Sequence, residues 1–339
     1  MINDNSKTIL LIGPRLNKDN RTIGGSEVLF ENFINYCKKE NRPIKIIDSN
    51  KFNYSNLILA LASILLKTFK LSKNIDHIFL YGSKNDYLYI APLVAIIAKL
   101  RKKQYSLRKF GGDFDSDYYN SFKLIRCGIN YAMRNAKTLF WETKRLLPFG
   151  LAFNIKSYWA PNTRRKPIYE NKNISFNKRK IAFISHVRKE KGIYELIEAL
   201  NQLGEEFSVD IYGTVMDIDN LDISKYYKGI IPPEDVQKVL SEYSALILPT
   251  WKEGYPGIII ESFSCGVPVL ASKVGGIPEM IEHGKNGILF DPKDPNEIVR
   301  ALKNFENYDY NSLVKNSLSS FNYYEESAVN NMIFSKIFE

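Results

Sequence analysis

Two glutamates, Glu253 and Glu261, lie eight residues apart around a glycine-containing turn. Glu253 lies in the loop after the predicted strand Ala245–Leu248, and Glu261 lies in the helix predicted to begin at Gly257. Gly254 and Gly257 let backbone N–H groups approach a ligand closely, and a helix N-terminus carries partial positive charge that suits a phosphate. Carboxylates bind phosphate poorly because both groups are negatively charged, but they readily accept hydrogen bonds from hydroxyl groups. The pattern therefore predicts sugar or ribose hydroxyls bound on either side of a diphosphate.

A second glycine pair, Gly275-Gly276, precedes another predicted helix that starts at the same edge of the sheet. Ligands of open parallel sheets bind outside the carboxyl ends of the strands, where both glycine segments are predicted to lie. Taken alone, a glycine pair is usually only a turn. The acidic pair, the turn and the second glycine pair follow one another within a short stretch, and this order favours a binding site.

This stretch resembles glycosyltransferase family 4, whose members have the GT-B fold and retain the anomeric configuration. The Glu-x₇-Glu spacing and the blocks CGVPVLAS, GGIPE and NGILF match the pattern of that family. The resemblance implies that Glu253 binds hydroxyls of a donor sugar and that Glu261 binds a ribose. It also implies that four residues meet the donor diphosphate: Gly254, Tyr255, Pro256 and Gly257.

Weaker matches extend the resemblance toward the N-terminus. Gly24 and Gly25 are similar to a glycine pair that lies near the donor phosphates in the family. The segment SHVRKEKG resembles its phosphate-binding loop, in which Lys191 matches the family lysine. Where the family usually has an arginine, this chain has His186, and Arg188 takes over that role only if the loop is rearranged.

The acceptor side is predicted from the segment FGGDFD, which follows a predicted strand of the first half. Asp113 and Asp115 in this segment either bind acceptor hydroxyls and assist their deprotonation, or are solvated side chains of a turn. The family often has a histidine in this region. His77 is placed at the start of a strand, and we assign it no role.

Short β-rich apolar runs alternate with longer amphipathic runs, and this pattern predicts βα units around parallel sheets. The fold class predicted is α/β with two Rossmann-like domains, and the resemblance to family 4 implies the GT-B arrangement, in which the two domains face a cleft. The predicted domains are an acceptor-side domain at residues 1–165 and a nucleotide-sugar-binding domain at 166–307. A helical tail at 308–339 is predicted to pack back on the first domain. The linker is placed at Pro161–Pro167, whose Pro161-Asn162 pair resembles the end of the first domain in the family.

Charge is distributed unevenly along the 339 residues. Residues 1–165 hold 28 Lys and Arg against 12 Asp and Glu, whereas the rest of the chain has an acidic excess. This asymmetry suggests that the first half faces an anionic partner. An anionic membrane is favoured over nucleic acid because no nucleic-acid-binding motif is present. The alternative is that the basic residues only keep the surface soluble. The apolar runs Leu57–Leu66 and Ile90–Leu100 are too short to span a bilayer. They are interpreted as buried helices or as helices lying on a membrane surface.

The three cysteines, Cys37, Cys127 and Cys265, lack metal-ligand spacing and suggest reduced, buried thiols in a cytoplasmic protein. Attachment to the inner face of the membrane is left open. The predicted reaction transfers a sugar, from a UDP-sugar by preference, to a saccharide or polyprenyl-linked acceptor of surface polysaccharide, capsule or lipopolysaccharide synthesis. The catalytic residues predicted are Glu253, Lys191 and Asp113, with no cofactor and no obligatory metal. Two alternatives are a non-catalytic GT-B subunit of a transferase complex and a sugar-nucleotide epimerase.

Overall fold

The computed structural model of the protein describes residues 6–17, 25–167 and 179–339. Packing of the backbone divides the chain into two compact units. Unit 1 comprises Met1–Asn162 together with Glu326–Glu339, and unit 2 comprises Thr163–Glu325. The ranges 1–165, 166–307 and 308–339 stay predictions of where independently folding domains begin and end.

Unit 1 is built on six strands: β1 (Ile9–Gly13), β2 (Ile44–Asp48), β3 (His77–Gly82), β4 (Gln104–Lys109), β5 (Thr138–Trp141) and β6 (Ser157–Trp159). They pair in the order β2-β1-β3-β4-β5-β6, and every pairing is parallel. β1 and β3 are buried throughout because helices cover both faces of the sheet, as their near-continuous apolar sequences require. All six carboxyl ends therefore lie at one edge.

The helices of unit 1 are α1 (Gly25–Lys39), α2 (Leu57–Leu71), α3 (Ala91–Leu100), α4 (Phe114–Tyr119), α5 (Lys123–Asn135), α6 (Leu147–Leu151) and, at the C-terminal end, α13 (Glu326–Phe338). A π-helical turn at Asp86–Ile90 precedes α3. α13 packs on α1, where the rings of Phe334 and Phe33 stack with centroids 5.5 Å apart. The last helix thus completes the core of unit 1.

Unit 2 has a second parallel sheet: β7 (Lys180–Ile184), β8 (Ser208–Tyr212), β9 (Tyr227–Gly229), β10 (Ala245–Leu248), β11 (Val269–Ser272) and β12 (Gly287–Phe290). The strand order is β12-β11-β10-β7-β8-β9. Its helices are α7 (Ile193–Leu203), α8 (Val236–Leu240), α9 (Gly257–Ser264), α10 (Ile277–Met280), α11 (Pro295–Phe305) and α12 (Tyr310–Phe321). The loops after β7, β8, β10 and β11 consequently meet at one edge of this sheet.

Most of the predicted elements are present, with shifts at their ends. Between β9 and β10, a 3₁₀ turn at Pro233–Asp235 leads into the short helix α8, which ends at Leu240. Cys37 and Cys265 are buried as predicted, whereas Cys127 is exposed. The predicted tail contains two helices that belong to different units, since α12 lies in unit 2 and α13 in unit 1.

The two apolar runs have different environments. α3 is mostly buried, as a core helix would be. α2 buries one narrow stripe, formed by Ala60, Ile64 and Thr68, and leaves other large apolar side chains in solvent. None of the helices within the described ranges has both the length and the apolarity needed to cross a bilayer.

Candidate active site

The loops at the carboxyl edge of the unit 2 sheet pack so closely that glycine is required at two positions. Gly192 follows β7 with φ +75°, and a Cβ there would lie 2.7 Å from the carbonyl carbon of Pro249, after β10. Gly275 follows β11 with φ +55°, and a Cβ there would lie 2.8 Å from the carbonyl carbon of Glu253. Both positions combine left-handed backbone with close backbone approach, which only glycine accommodates. These contacts bring three loops together around Glu253.

The first of two ion pairs in this region joins Lys191 to Glu253, through Nζ and Oε1. Lys191 ends a 3₁₀ turn after β7, and both side chains are largely buried. The Glu253 loop is held to the same turn because the Trp251 N–H donates to the Glu190 carbonyl oxygen over 2.9 Å. Lys191 and Glu253, predicted separately from their motifs, are therefore brought together.

The second ion pair joins Arg164 to Glu261, through Nε and Oε1, with each side chain about a fifth exposed. Arg164 lies on the segment that enters unit 2, where its backbone N–H donates to the Tyr324 carbonyl oxygen over 3.0 Å. Its guanidinium occupies the space that a side chain at position 257 would need, since a Cβ on Gly257 would lie 2.7 Å from Cζ. The glycine at the start of α9 thus makes room for the cation that neutralises Glu261.

Sequence reasoning missed Arg164, which lies in the basic run that was interpreted only as a linker. The signal was an arginine two residues after Asn162, but nothing in the sequence paired it with Glu261. Carboxylates separated by about 100 positions from their cation cannot be matched without the fold.

The turn between the two glutamates leads directly into the N-terminus of α9. Gly254 accepts a hydrogen bond from the Gly276 N–H over 2.8 Å, which fixes the turn against the second glycine pair. Tyr255 is buried, and its hydroxyl lies 3.2 Å from that of Tyr324. Pro256 occupies the N-cap position, and no described side chain caps the helix. The first amides of α9 therefore keep capacity for an anion.

The remaining residues of the predicted phosphate loop are less engaged. His186 is exposed, and the Nε of Arg188 lies 3.7 Å from Oε2 of Glu190. Arg188 thus reaches its near neighbour in the loop, and its predicted role at the diphosphate stays a prediction. In unit 1, Gly24 lies outside the described residues, and Gly25 is the first residue of α1. Their donor-phosphate role also stays a prediction.

Asp113 and Asp115, at the carboxyl edge of the unit 1 sheet, share one cation. Arg145 contacts Asp115 through two nitrogens at 2.8 and 2.9 Å, and its Nη2 lies 3.5 Å from Oδ1 of Asp113. Burial pushes the pKa of Asp115 upward, but hydrogen bonds from Arg145 and the Ser116 backbone outweigh it and lower the pKa. Asp115 therefore stays ionised, while the more exposed Asp113 is held less tightly.

Two buried ionisable residues, Glu142 and Lys109, lie next to this segment and were not identified from the sequence. Glu142, at the end of β5, accepts a hydrogen bond from the Gly111 N–H. Burial raises the pKa of Glu142 and lowers that of Lys109 to about 8. Neighbouring groups of opposite sign in a dry site partly compensate each other. Their effect is to fix the backbone that carries Asp113.

Most of the sequence of unit 2 matches a known protein family. Residues 165–319 match the family model described as glycosyl transferases group 1. A candidate teichuronic acid biosynthesis glycosyltransferase of Bacillus subtilis (strain 168) is 22% identical over 226 residues, covering 62% of this chain and 57% of that protein. An uncharacterized glycosyltransferase of Methanocaldococcus jannaschii is 26% identical over 309 residues, covering 83% of this chain and 84% of that protein. The chain matches 57% or less of the length of the first curated relatives.

Among solved structures, Anabaena HepE in complex with UDP aligns with a TM-score of 0.74 at 16% identity, covering 97% of this chain and 98% of that one. The two parallel six-stranded sheets, together with this likeness, define the class of the fold as GT-B, as predicted. Within that fold, the residues that match the glycosyl transferases group 1 model, 165–319, all lie inside unit 2.

Proposed function

We propose that the chain is a retaining glycosyltransferase of family 4 that uses a nucleotide-sugar donor, with a UDP-sugar favoured. Two ion pairs near the N-terminus of α9 carry the proposal. One joins Lys191 to Glu253, and the other joins Arg164 to Glu261. Each glutamate is held by a cation from a distant segment, so its remaining oxygen has a fixed position. Two fixed carboxylates around uncapped amides suit two sets of hydroxyls around a diphosphate.

The leaving diphosphate gains negative charge as the glycosidic bond breaks, and a transferase must stabilise that charge. Lys191 and the first amides of α9 supply positive potential at one place in unit 2. Because these groups are already held by the fold, little reorganisation is needed at the moment of reaction. We therefore propose a site that needs no obligatory metal, in which Glu253 holds the donor sugar and Glu261 the ribose.

Arg164 acts as a positioning residue in this proposal. Its guanidinium fixes the direction of the Glu261 carboxylate, because a charge-assisted hydrogen bond restricts the rotamers of both partners. The Arg164 backbone is in turn tied to Tyr324. The orientation of the ribose-binding carboxylate therefore depends on a residue outside the Glu-x₇-Glu motif.

On the acceptor side, we propose that Asp113 binds or helps to deprotonate the acceptor hydroxyl. Its carboxylate is exposed, and it is held by Arg145 less closely than Asp115 is. Fixed backbone around Gly111, braced by Glu142, would keep it in place. Retention of configuration rests on the resemblance to family 4, with the donor phosphate oxygen taking the acceptor proton.

The proposed acceptor is a saccharide or a lipid-linked saccharide of bacterial surface polysaccharide, capsule or lipopolysaccharide synthesis. Support comes from relatives whose names refer to teichuronic and colanic acid biosynthesis, and from the fold shared with a lipopolysaccharide outer core galactosyltransferase. We propose a cytoplasmic enzyme that works at the inner face of the membrane, where such acceptors are presented.

Thermal-shift and calorimetric screening against UDP-, GDP- and other nucleotide sugars tests the donor proposal, because ligands that bind the folded state raise its melting temperature. We expect a UDP-sugar to give the largest shift and to be hydrolysed slowly without acceptor. Binding without any turnover would support the non-catalytic alternative, and conversion to an epimer would support the epimerase. If no nucleotide sugar binds at millimolar concentration, the proposed function is wrong.

A further inference from the structure

An open pocket of about 520 Å³ lies at the amino edge of the unit 1 sheet, where β4, β5 and β6 begin. A lysine lies directly before each of these three strands: Lys103, Lys137 and Lys156. The three strands are neighbours in a parallel sheet, so they start at the same edge, and adjacent strands are only about 4.8 Å apart. The topology therefore brings together three lysines that are distant in sequence, and all three line the pocket.

A fourth cation, Arg134, lines the pocket from the last turn of α5. The Asn154 amide donates to the carbonyl oxygens of Met133 and Ala136 over 3.3 and 2.6 Å. The side-chain oxygen of Asn154 accepts from the Lys156 N–H over 2.9 Å. One asparagine therefore holds the loop that carries Lys156 against the helix end that carries Arg134.

Cations near a helix C-terminus often interact only with its last carbonyl groups. At the end of α5, two of these oxygens already accept from Asn154, and the Ala132 oxygen accepts from the Tyr105 hydroxyl over 2.6 Å. Across the part of the chain that the structure describes, four side chains at the pocket form neither a hydrogen bond nor an ion pair: Lys103, Arg134, Lys137 and Lys156. Their charges therefore stay available to a ligand.

The positive charge of the pocket is poorly compensated. Among the described residues that line it, only Glu339 is acidic, and this carboxylate already contacts Nζ of Lys336 at 2.7 Å. Burial lowers the pKa of Lys137, and the charges of Lys156 and Lys7 lower it further, whereas Glu339 opposes them. Because the lysines repel one another, a bound anion would relieve an unfavourable interaction.

The chemistry of the lining suits phosphate groups. Lysine and arginine form charge-assisted hydrogen bonds with phosphate oxygens, and the Gln104 amide in the lining adds neutral donors. Four cations against one carboxylate leave three positive charges, which match two or three adjoining phosphates better than one. A pocket of this volume is also within the range that binds small molecules.

We propose that this pocket binds a small molecule with adjoining phosphate groups, held by Lys103, Lys137 and Lys156 at the amino edge of the sheet. Asp113 follows the other end of β4, at the carboxyl edge. A ligand in the pocket therefore leaves the carboxyl edge free. The site is separate from the proposed donor and acceptor residues, and it does not depend on the proposed function.

Calorimetric titration of the full chain with inorganic tripolyphosphate tests the pocket. We expect tripolyphosphate to bind, and orthophosphate to bind at least about 10-fold more weakly because it meets fewer cations. Lys137→Gln and Lys156→Gln should each raise the Kd about 10-fold or more, the loss of one hydrogen bond between charged groups. Lys123→Gln is the matched control, since Lys123 is exposed at the other end of α5 and does not line the pocket. Equal affinity of all three variants would overturn the proposal.

Thermal unfolding separates loss of charge from loss of fold. Because neighbouring lysines repel Lys137, its replacement by glutamine should not lower the Tm without ligand. Tripolyphosphate should raise the Tm of wild type and of Lys123→Gln, and should raise that of Lys137→Gln much less. If Lys137→Gln does not fold, Lys156→Gln, at an exposed position, decides the outcome in the same way.

The location of the ligand needs its own test, because tripolyphosphate also suits Lys191 in unit 2. Binding that Lys137→Gln weakens should persist in Lys191→Ala. Hydrogen exchange should slow at residues 134–138 and 154–157 when the ligand is added. Binding that is lost only in Lys191→Ala would overturn the pocket and leave the proposed donor site in place.

Two further probes distinguish the source of the phosphates and the kind of anion. Vesicles of phosphatidylcholine and phosphatidylglycerol present phosphate on a surface, and at physiological salt we expect no vesicle binding that depends on Lys137. Vesicle binding that Lys137→Gln abolishes, without binding of tripolyphosphate, would overturn the small-molecule ligand. Tricarballylate carries three carboxylates, and an affinity equal to that of tripolyphosphate would overturn the preference for phosphate.

Discussion

Replacing Gly257 by alanine should damage the donor site while leaving the fold intact. The backbone at Gly257 is not in the left-handed region, so an alanine is unstrained there. The three heavy atoms nearest to its Cβ would all belong to the guanidinium end of Arg164, with Cζ at 2.7 Å. A flexible side chain can move away, and the arginine would then leave Glu261. The substitution should thus separate the two partners of the Arg164–Glu261 ion pair.

The expected magnitudes follow from this geometry. Hydrogen bonds to charged groups contribute about 1.5 to 3 kcal/mol, while alanine in place of glycine in a helix returns roughly 0.5 to 1 kcal/mol. The free energy of unfolding should therefore fall by about 1 to 2 kcal/mol, a few degrees in Tm for a unit of this size. If Glu261 must be oriented to bind the ribose, the Kd for UDP should rise by about 10- to 100-fold.

The assay is calorimetric titration of wild type and Gly257→Ala with UDP and with 2′,3′-dideoxy-UDP. Wild type should prefer UDP, and the variant should lose most of that preference because only the ribose hydroxyls depend on Glu261. Arg164→Ala should behave in the same way, and Arg165→Ala, at the exposed neighbouring arginine, should resemble wild type. An unchanged Kd in Gly257→Ala, or an equal loss for both nucleotides, would refute the reasoning.

Three further results are expected. Lys191→Ala should lower kcat about 100-fold. The fold should be retained with a Tm lower by a few degrees, because the largely buried Glu253 loses its cation. Lys189→Ala, at an exposed lysine, should keep wild-type turnover. Burial, with a smaller contribution from a nearby lysine, lowers the pKa of His77 to about 3. The folded state therefore stays neutral there while the unfolded chain gains a proton below about pH 6.5, so stability should fall by about 1 kcal/mol between pH 7 and 5.5. Urea titrations of His77→Asn should lack this loss. Gly192→Ala should lower the free energy of unfolding by about 3 kcal/mol or more, because its Cβ would meet backbone at Pro249. Near-wild-type stability in urea titrations would contradict the described loop packing.

The sheets and the acidic pair could be predicted because their signals are local. Apolar strands such as Ile9–Gly13 and Ala245–Leu248 are short, continuous and followed by turn residues, so their positions are visible in the sequence alone. One turn and the first residues of α9 lie between Glu253 and Glu261. Local structure therefore largely sets the distance between the two carboxylates.

The cations of the site could not be predicted, because their pairing depends on the fold. Arg164 and Glu261 are distant in sequence, and Arg145 reaches Asp113 and Asp115 from another strand end. Nothing in the composition of a basic segment says which carboxylate it will meet. The π-helical turn at Asp86–Ile90 was missed for a related reason, since local propensity does not encode such an irregularity.

The C-terminal helix α13 belongs to the core of unit 1, although residues 163–325 lie between it and the rest of that unit. During synthesis, the unit 1 sheet and α1 emerge long before their final covering element. The aromatic side chains Phe33 and Tyr36, which Phe334 covers, stay open to water while unit 2 is translated. At about 5 to 20 residues per second this interval lasts on the order of ten seconds. We expect a ribosome-associated chaperone to bind the nascent chain while these aromatic side chains are exposed.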